Sequence, residues 1–502
     1  MLWSTATIAL VLLLVGLLAW RTHRKFTLFK RLGIPGPKPV PFIGNLPDFV
    51  DGIYNCHKKW AETYGKVVGV FYGGRPTIMS TDLDFLEEVL VKKFSNFCDR
   101  EYTPLRPELL RNDIISLRGQ RWKAVRAVMS GAFSNSKLRR MAPLISNKIN
   151  DLLESMAAKC KGGAFNVDMY SEIDPLSLGV VAQCAYGANL EPKDIPDYSK
   201  ASKNFFKAFK QGYLPMALTS IIPWVEPLLQ WLGCCIHSLS AVNFFETQVL
   251  AIMEQRSANP DDTKEYDDML ALMLKSLRPE ADDRTDGADS KKGLTEKEIM
   301  SGVISFFTGN SDTTQSALSF TIGMLAVHPE VQDRLVEEVD EVTEGRDKIT
   351  REDMAKLTYM GMVIRETLRL YPPVIKCNRA CKTACVIKGY EIPADVGVEV
   401  PIMAIHHSPE LWPEPLKWDP ERFSPENRAK IHPMAFLPFG SGPRKCIGER
   451  FALMEIHMVL GRLLQNFRFE RSPDTEDSIV FGKGGLIFPL HGLNIRVRQR
   501  SL

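Results

Sequence analysis

The chain has 502 residues, 45% hydrophobic and 25% charged, the composition of a globular protein with a sizeable core and not of a disordered one. Lysine and arginine total 63 against 60 acidic residues, and a net charge of +3 gives no support to a nucleic-acid partner. No stretch reads as a flexible linker between separate cores, so one large domain with appendages is expected.

The first element, LWSTATIALVLLLVGLLAW over residues 2–20, is uncharged and close to the ~20 residues a helix needs to cross a bilayer. The basic stretch RTHRKFTLFKR follows, which predicts a single-pass anchor over residues 1–20 with the body of the chain in the cytosol. A cleaved signal peptide is disfavoured, because no basic stretch precedes the run and no small-residue cleavage pattern follows it. The ten scattered cysteines fit a reducing compartment, so no disulfide framework is expected. Residues 21–47 are a basic and then proline-rich linker, whose prolines make residues 33–47 a stiff non-helical connector, and residues 48–502 form the catalytic body.

KVVGVFYGGRPTIMS predicts a hairpin turning at Gly73 and Gly74. RWKAVRAVMSGAF places Trp122 and Arg126 one helical turn apart, on its own an aromatic beside a surface charge. Residues 213–235 are apolar, but Pro215, Pro223 and Pro227 bar a single membrane helix. That segment dips into a membrane or lids a pocket, with burial in an ordinary core as the alternative. Residues 280–293, EADDRTDGADSKKG, read as a charged loop.

Thr295 and Glu298 form a capping-box pattern, with Leu294 and Ile299 placed for a hydrophobic staple, and the helix they open runs to His328 before Pro329 stops it. It is ~50 Å long at 1.5 Å per residue. Its centre holds Gly309, Asn310, Ser311, Asp312, Thr313 and Thr314, polar residues that need partners or a cavity at midspan and so predict a functional groove. No dinucleotide fingerprint or P-loop is present, so any reducing equivalents come from another protein.

RETLRLYPP puts Glu366 and Arg369 on one helical face, and DPERF supplies Arg422. CNRACKTAC spaces Cys377, Cys381 and Cys385 by four, without the paired steps of zinc sites, and no metal role is expected there. In FGSGPRKCIG, Cys446 stands near a helix N-terminus beside Arg444 and Lys445, which favours a thiolate and makes it a nucleophile or a metal ligand.

In this order the motifs resemble the cytochrome P-450 superfamily of heme-thiolate monooxygenases, in particular the microsomal clan that includes the mammalian drug-metabolising subfamily three A. The resemblance implies a mainly α fold with a small β-sheet region, a triangular α-rich prism with heme between a long central helix and the cysteine loop. It implies heme b, iron protoporphyrin IX, with Cys446 as the proximal iron ligand, Phe439 beside the sulfur and Gly448 letting backbone approach the porphyrin. Trp122, Arg126, Arg379 and Arg444 become propionate partners. Glu366, Arg369 and Arg422 become the buried cluster holding the loop before Cys446. At midspan the family pattern of small residue, glycine, any residue, acid and threonine is met by Gly309, Ser311, Asp312 and Thr313, while Asn310 replaces the glycine and is expected to narrow the distal pocket or add a hydrogen bond to it. Asp312 and Thr313 are the implied proton-delivery pair.

The implied reaction inserts one atom of O2 into a hydrophobic small molecule, whether xenobiotic, steroid or lipid-like, in a pocket near Phe205, Phe206, Phe209, Phe306 and Phe307. Electrons come from NADPH-cytochrome P-450 reductase docking on Arg121, Lys123, Lys445 and Arg450, with cytochrome b5 as a further donor, at the endoplasmic reticulum membrane. A heme-thiolate isomerase or dehydratase would need no external electrons, but such relatives usually lose the acid-threonine pair. A cysteine hydrolase needs a histidine base near Cys446 and leaves the arginines unexplained. A binding protein without catalysis has no use for the full set of chemical positions.

Overall fold

The computed structural model describes residues 5–206, 218–219, 222–258, 268–277, 293–476 and 478–500. Helix α1 spans Thr5–Phe26 and ends in His23, Arg24 and Lys25, cations that complement the partial negative charge of its last carbonyls. Among the described residues no helix is long and apolar enough to cross a membrane. The uncharged part of α1 that is described runs from Thr5 to Trp20. Residues 1–4 of the expected anchor lie outside the described part.

The basic part of the linker is helical through Phe26 and again over Leu28–Arg31, whereas the proline-rich stretch is non-helical until a 3-10 turn opens at Leu46, and it runs along strand β1 (Val67–Tyr72): Gly69 N–H donates to the Pro35 carbonyl at 2.8 Å and Asn45 N–H to the Phe71 carbonyl at 2.7 Å. Gly36 allows this approach, since a Cβ there would stand 2.0 Å from the Gly69 oxygen. Strand β1 turns through Gly73, at φ +59°, into β2 (Arg75–Ser80), the hairpin expected from the sequence. Strands β3 (Phe165–Asp168), β4 (Cys377–Ala380), β5 (Cys385–Ile387), β6 (Tyr390–Ile392), β7 (Gly397–Val400), β8 (Phe467–Arg471) and β9 (Asn494–Gln499) complete three sheets. Their orders are β1-β2-β7-β4, β3-β9-β8 and β5-β6. All ten cysteines are free, and among the described residues no cluster of histidine, cysteine and acidic groups could hold a metal ion.

The helices that build the site are α2 (Gly119–Ser130), α3 (Met169–Tyr186), α4 (Leu239–Ala258), α5 (Glu296–Val327), α6 (Thr358–Leu370) and α7 (Glu449–Asn466). Helix α5 is the long one: the Thr295 hydroxyl accepts from Glu298 N–H and the Glu298 carboxylate accepts from Thr295 N–H, closing the capping box. It packs against α3, α4, α6 and α7 and is buried on nearly every side, so the main hydrophobic core forms around it. A second core, built from Phe71, Ile78, Val398 and Leu437 among others, joins the four-stranded sheet to the chain just before the cysteine loop.

Candidate active site

The loop before α7 is folded by its own backbone. Cys446 N–H donates to the Phe439 carbonyl at 2.8 Å, and Lys445 N–H to the Gly442 carbonyl at 3.0 Å. Gly440 and Gly442 take φ of +71° and +72°, which other residues adopt at a cost. At Gly442 space also matters, because a Cβ would stand 1.9 Å from the Leu90 carbonyl oxygen. Gly448 is the N-cap of α7 and has ordinary space around it.

Behind the loop, Glu366 and Arg369 of α6 are fully buried and joined by two hydrogen bonds of 2.7 and 2.8 Å. Arg369 donates its remaining hydrogens to the carbonyls of His406, Pro415 and Lys417, while the Glu366 carboxylate accepts from Asp419 N–H at 2.9 Å and lies 3.4 Å from Arg422 Nε. The three residues named from the sequence thus meet, gripping residues 406–419. His406 extends the grip. Leu437 N–H donates to its Nε2 at 2.8 Å, so the ring proton sits on Nδ1, 3.1 Å from the Arg369 carbonyl. Burial first, then His407 and Arg369, keep this imidazole neutral well below the usual histidine range. Its partners are 37 residues before it and 31 after it, so no local pattern in the sequence signals this role.

Cys446 is the one exposed cysteine of the ten. Its sulfur meets open space inside the fold and not bulk solvent, so desolvation raises its pKa. The Gly448 N–H and, more weakly, Arg126 and Arg100 oppose that rise. The expectation that Arg444 and Lys445 favour the thiolate is therefore corrected. Lys445 pairs with Glu449 at 2.8 Å, and the buried Arg444 donates to the Cys98 and Leu117 carbonyls at 2.5 and 2.6 Å. Adjacent positions in an extended turn point to opposite sides, which adjacency in sequence conceals.

Around this space stand Arg126, Arg379 and Arg444, with Trp122 between two of them: its ring centre is 4.2 Å from the Arg444 guanidinium and 5.9 Å from that of Arg126. Burial lowers the pKa of all three, to about 10 for Arg379 and about 9 for Arg444, and Arg100 lowers each further. Arg100 is the member that sequence reasoning missed. Its neighbour Asp99 fixes the strand by accepting from Gly119 N–H at 2.8 Å and by facing Arg444 at 3.5 Å. Asp99 is the counter-charge at Arg444, so the cluster carries excess positive charge. Arg379 Nε is buried with no partner.

On the other wall, Gly309 is exposed on an otherwise buried helix, and a Cβ there would meet nothing within 4 Å. The Thr313 hydroxyl donates to the Gly309 carbonyl at 2.6 Å. Asp312 is buried and lines a small cavity with Tyr170, Thr313, Ser316 and Ile487; desolvation and then Asp312 raise the Tyr170 pKa. Asn310 does not enter the groove as expected. Its amide turns to α7, where Nδ2 donates to Glu455 at 3.0 Å, and its oxygen accepts from Thr314 at 3.0 Å. Phe306 packs on Phe133 and Phe451, 5.5 Å from each ring centre. Phe307 lies in the core against Tyr186, Tyr198 and Phe245, and Phe205 against Phe206 and His237, while Phe209 is outside the described residues. Of the expected docking cations, Lys123, Lys445 and Arg450 are exposed, but Arg121 is buried in an ion pair with Glu298.

An iron porphyrin fits these residues. The excess arginine charge and the idle Arg379 Nε suit two propionates, and the Cys446 sulfur and bare Gly309 offer a ligand atom and room.

Comparison with known proteins agrees. Residues 34–496 match the family described as Cytochrome P450. The chain is 35% identical to cytochrome P450 3A9 of Rattus norvegicus over 98% of its own length and 96% of that protein's. It is 34% identical to cytochrome P450 3A13 of Mus musculus, over 99% and 97% respectively, and 35% identical to cytochrome P450 3A29 of Sus scrofa, over 94% and 93%.

Proposed function

Because the chain belongs to the cytochrome P450 family, and so is a heme monooxygenase, we propose that it inserts one atom of O2 into a hydrophobic small molecule with electrons relayed from NADPH by a cytochrome P450 reductase. The observation that carries this reading is the Cys446 sulfur opening onto interior space beside an arginine cluster with too few counter-charges. Heme b, when bound, supplies the oxygen-activating redox chemistry. Cys446 is its thiolate ligand, Phe439 and Gly448 shape the contact around that ligand, and Trp122, Arg126, Arg379 and Arg444, with Arg100, hold the propionates.

The protein's other work is proton management and exclusion of water. Thr313 presents its hydroxyl oxygen to the groove while its proton rests on the Gly309 carbonyl, so it holds a proton at Oγ1 in a fixed direction. Asp312, behind it beside Tyr170, is the source that replenishes that proton. Arg369 and Glu366 hold the cysteine loop rigid, with Arg422 bracing the outer side. Cytochrome b5 is a second electron donor, and docking uses Lys123, Lys445 and Arg450. The substrate is a xenobiotic, steroid or lipid-like molecule. The uncharged first helix with its basic end supports a single-pass anchor in the endoplasmic reticulum membrane, residues 21–47 as linker and a cytosolic catalytic body.

The test is the carbon monoxide difference spectrum of the reduced protein beside Cys446→Ala. A strongly red-shifted Soret band lost in the variant is expected; an unshifted band in folded wild type would remove Cys446 as the ligand. Product formation that requires reductase and NADPH, and protection of the body from alkaline extraction only when residues 1–26 are present, check the electron source and the anchor.

A further inference from the structure

Several buried carboxylates among the described residues face cations: Asp113 faces Arg106, Asp268 faces Arg256, Glu298 faces Arg121, Glu366 faces Arg369, and Glu399 faces Lys376. Glu455 of α7 does not. It is fully buried, its Oε2 accepts from Asn310 Nδ2 at 3.0 Å, and its Oε1 is buried without a partner. An ionised carboxylate there would be an uncompensated charge in a low-dielectric interior. Burial pushes its pKa up to about 8, opposed only by the Asn310 bond. From α3, Cys184 is the titratable group that faces it, a thiol whose own pKa is raised by burial and then by Glu455.

The geometry around this acid is specific. Asn310 has both ends of its amide used, Nδ2 on Glu455 and Oδ1 on the Thr314 hydroxyl. One turn earlier on each helix, Phe306 packs on Phe451 with ring centres 5.5 Å apart. Two rungs, one apolar and one polar, therefore join the groove helix α5 to the helix that leaves Cys446. The polar rung falls at the turn that presents Gly309 and Thr313 to the open space. Without its acceptor, the Asn310 amide would be a buried donor with nothing to bond, next in the chain to Gly309, the exposed residue of this turn.

We propose that Glu455, as a neutral acid acting through Asn310, is a positioning residue for the monooxygenase reaction that latches the Gly309–Thr313 turn of the groove onto the cysteine helix. This rests on the assignment of proton handling to Thr313, and the test separates the two.

The experiment uses the full-chain holoenzyme as wild type, Glu455→Gln, Glu455→Ala, Asn310→Gly, the Asn310→Gly/Glu455→Ala double variant and Thr313→Ala. At pH 7 the infrared difference between wild type and Glu455→Gln is expected to contain the carbonyl stretch of a protonated carboxylic acid. Glu455→Gln keeps the fraction of reducing equivalents recovered as product within about twofold, Glu455→Ala lowers it at least about threefold with an unchanged reduced carbon monoxide spectrum, and raising the pH through about 8 lowers it in wild type but not in Glu455→Gln. In thermal unfolding, the Asn310→Gly and Glu455→Ala effects are less than additive, as groups in contact require. Absence of the infrared band, additive effects in the cycle, or a Glu455→Ala enzyme as well coupled as wild type would each overturn the latch. If Glu455→Ala does not fold, the infrared band and the pH response of Glu455→Gln decide alone. A Thr313→Ala enzyme with unchanged coupling sinks the Thr313 assignment, and the infrared band and stability cycle still judge the latch.

Discussion

The guanidinium of Arg444 lies 4.2 Å from the centre of the Trp122 ring, and it spends its shortest hydrogen bonds on the carbonyls of Cys98 and Leu117. Its NH1 makes only long contacts, 3.4 and 3.5 Å, to Ile114 and Ile115. Arg444 is thus a strut between the cysteine loop and the residues preceding α2 before it is a partner for any anion. A lysine keeps the charge but loses the planar stack and the fork of donors. Arg444→Lys is therefore expected to lower stability by about 2–3 kcal/mol, read from urea unfolding, and to lower heme content per protein. An unchanged unfolding midpoint would contradict the strut.

Glu366 and Arg369 are the most enclosed ion pair of the site, and removing one partner strands the other's charge. Glu366→Gln and Arg369→Met should each cost about 3–5 kcal/mol. Arg422, 3.4 Å from the same carboxylate and partly open to water, should cost about 1 kcal/mol as Arg422→Lys. Thermal unfolding that ranks Arg422 with or above Arg369 would refute this order.

Gly440 and Gly442 share a left-handed backbone but differ in room. Gly440→Ala pays the conformational cost alone, about 1–2 kcal/mol, because nothing lies within 4 Å of the new Cβ. Gly442→Ala must also displace the Leu90 carbonyl, so it should yield little holoprotein when the two are expressed side by side. Equal yields would show that the loop gives way at Leu90.

Thr313→Ala removes the hydroxyl held on the Gly309 carbonyl. The expected outcome is a several-fold lower ratio of product to NADPH consumed, with substrate affinity close to wild type, measured by paired oxygen-consumption and product assays. Parallel losses of affinity and rate would instead mark Thr313 as a packing residue.

Glu101 gives the alkaline side of the stability profile. Its carboxylate accepts from Thr77 and Asn378 at 3.1 Å, but burial and then the nearby Glu399 raise its pKa from 4.5 to about 7. The folded protein holds this proton more tightly than the unfolded chain, so the contribution is complete below pH 4.5 and is lost as the pH rises through about 7. Glu101→Gln should flatten the fall in unfolding midpoint between pH 5 and pH 8. A fall as steep as in wild type would assign it to other groups.

The sequence by itself determined whatever depends on neighbours a few residues apart. The Thr295–Glu298 capping box and Pro329 bound the long helix, Gly73 and Gly74 turn the hairpin, and Glu366 reaches Arg369 because positions three apart share a helical face. The ordered motifs up to Cys446 identified the family, since each chemical position is a residue type and not a direction. Only the tertiary structure decided the directions. It turned Arg444 toward Cys98, sent the Asn310 amide to Glu455 instead of into the groove, buried Arg121 against Glu298, and brought Arg100 and His406 into a site where no local pattern announces them. The physical reason is that caps, turns and glycine conformations are local energies along the chain, whereas the side on which a charge or amide finds its partner depends on which distant elements pack beside it.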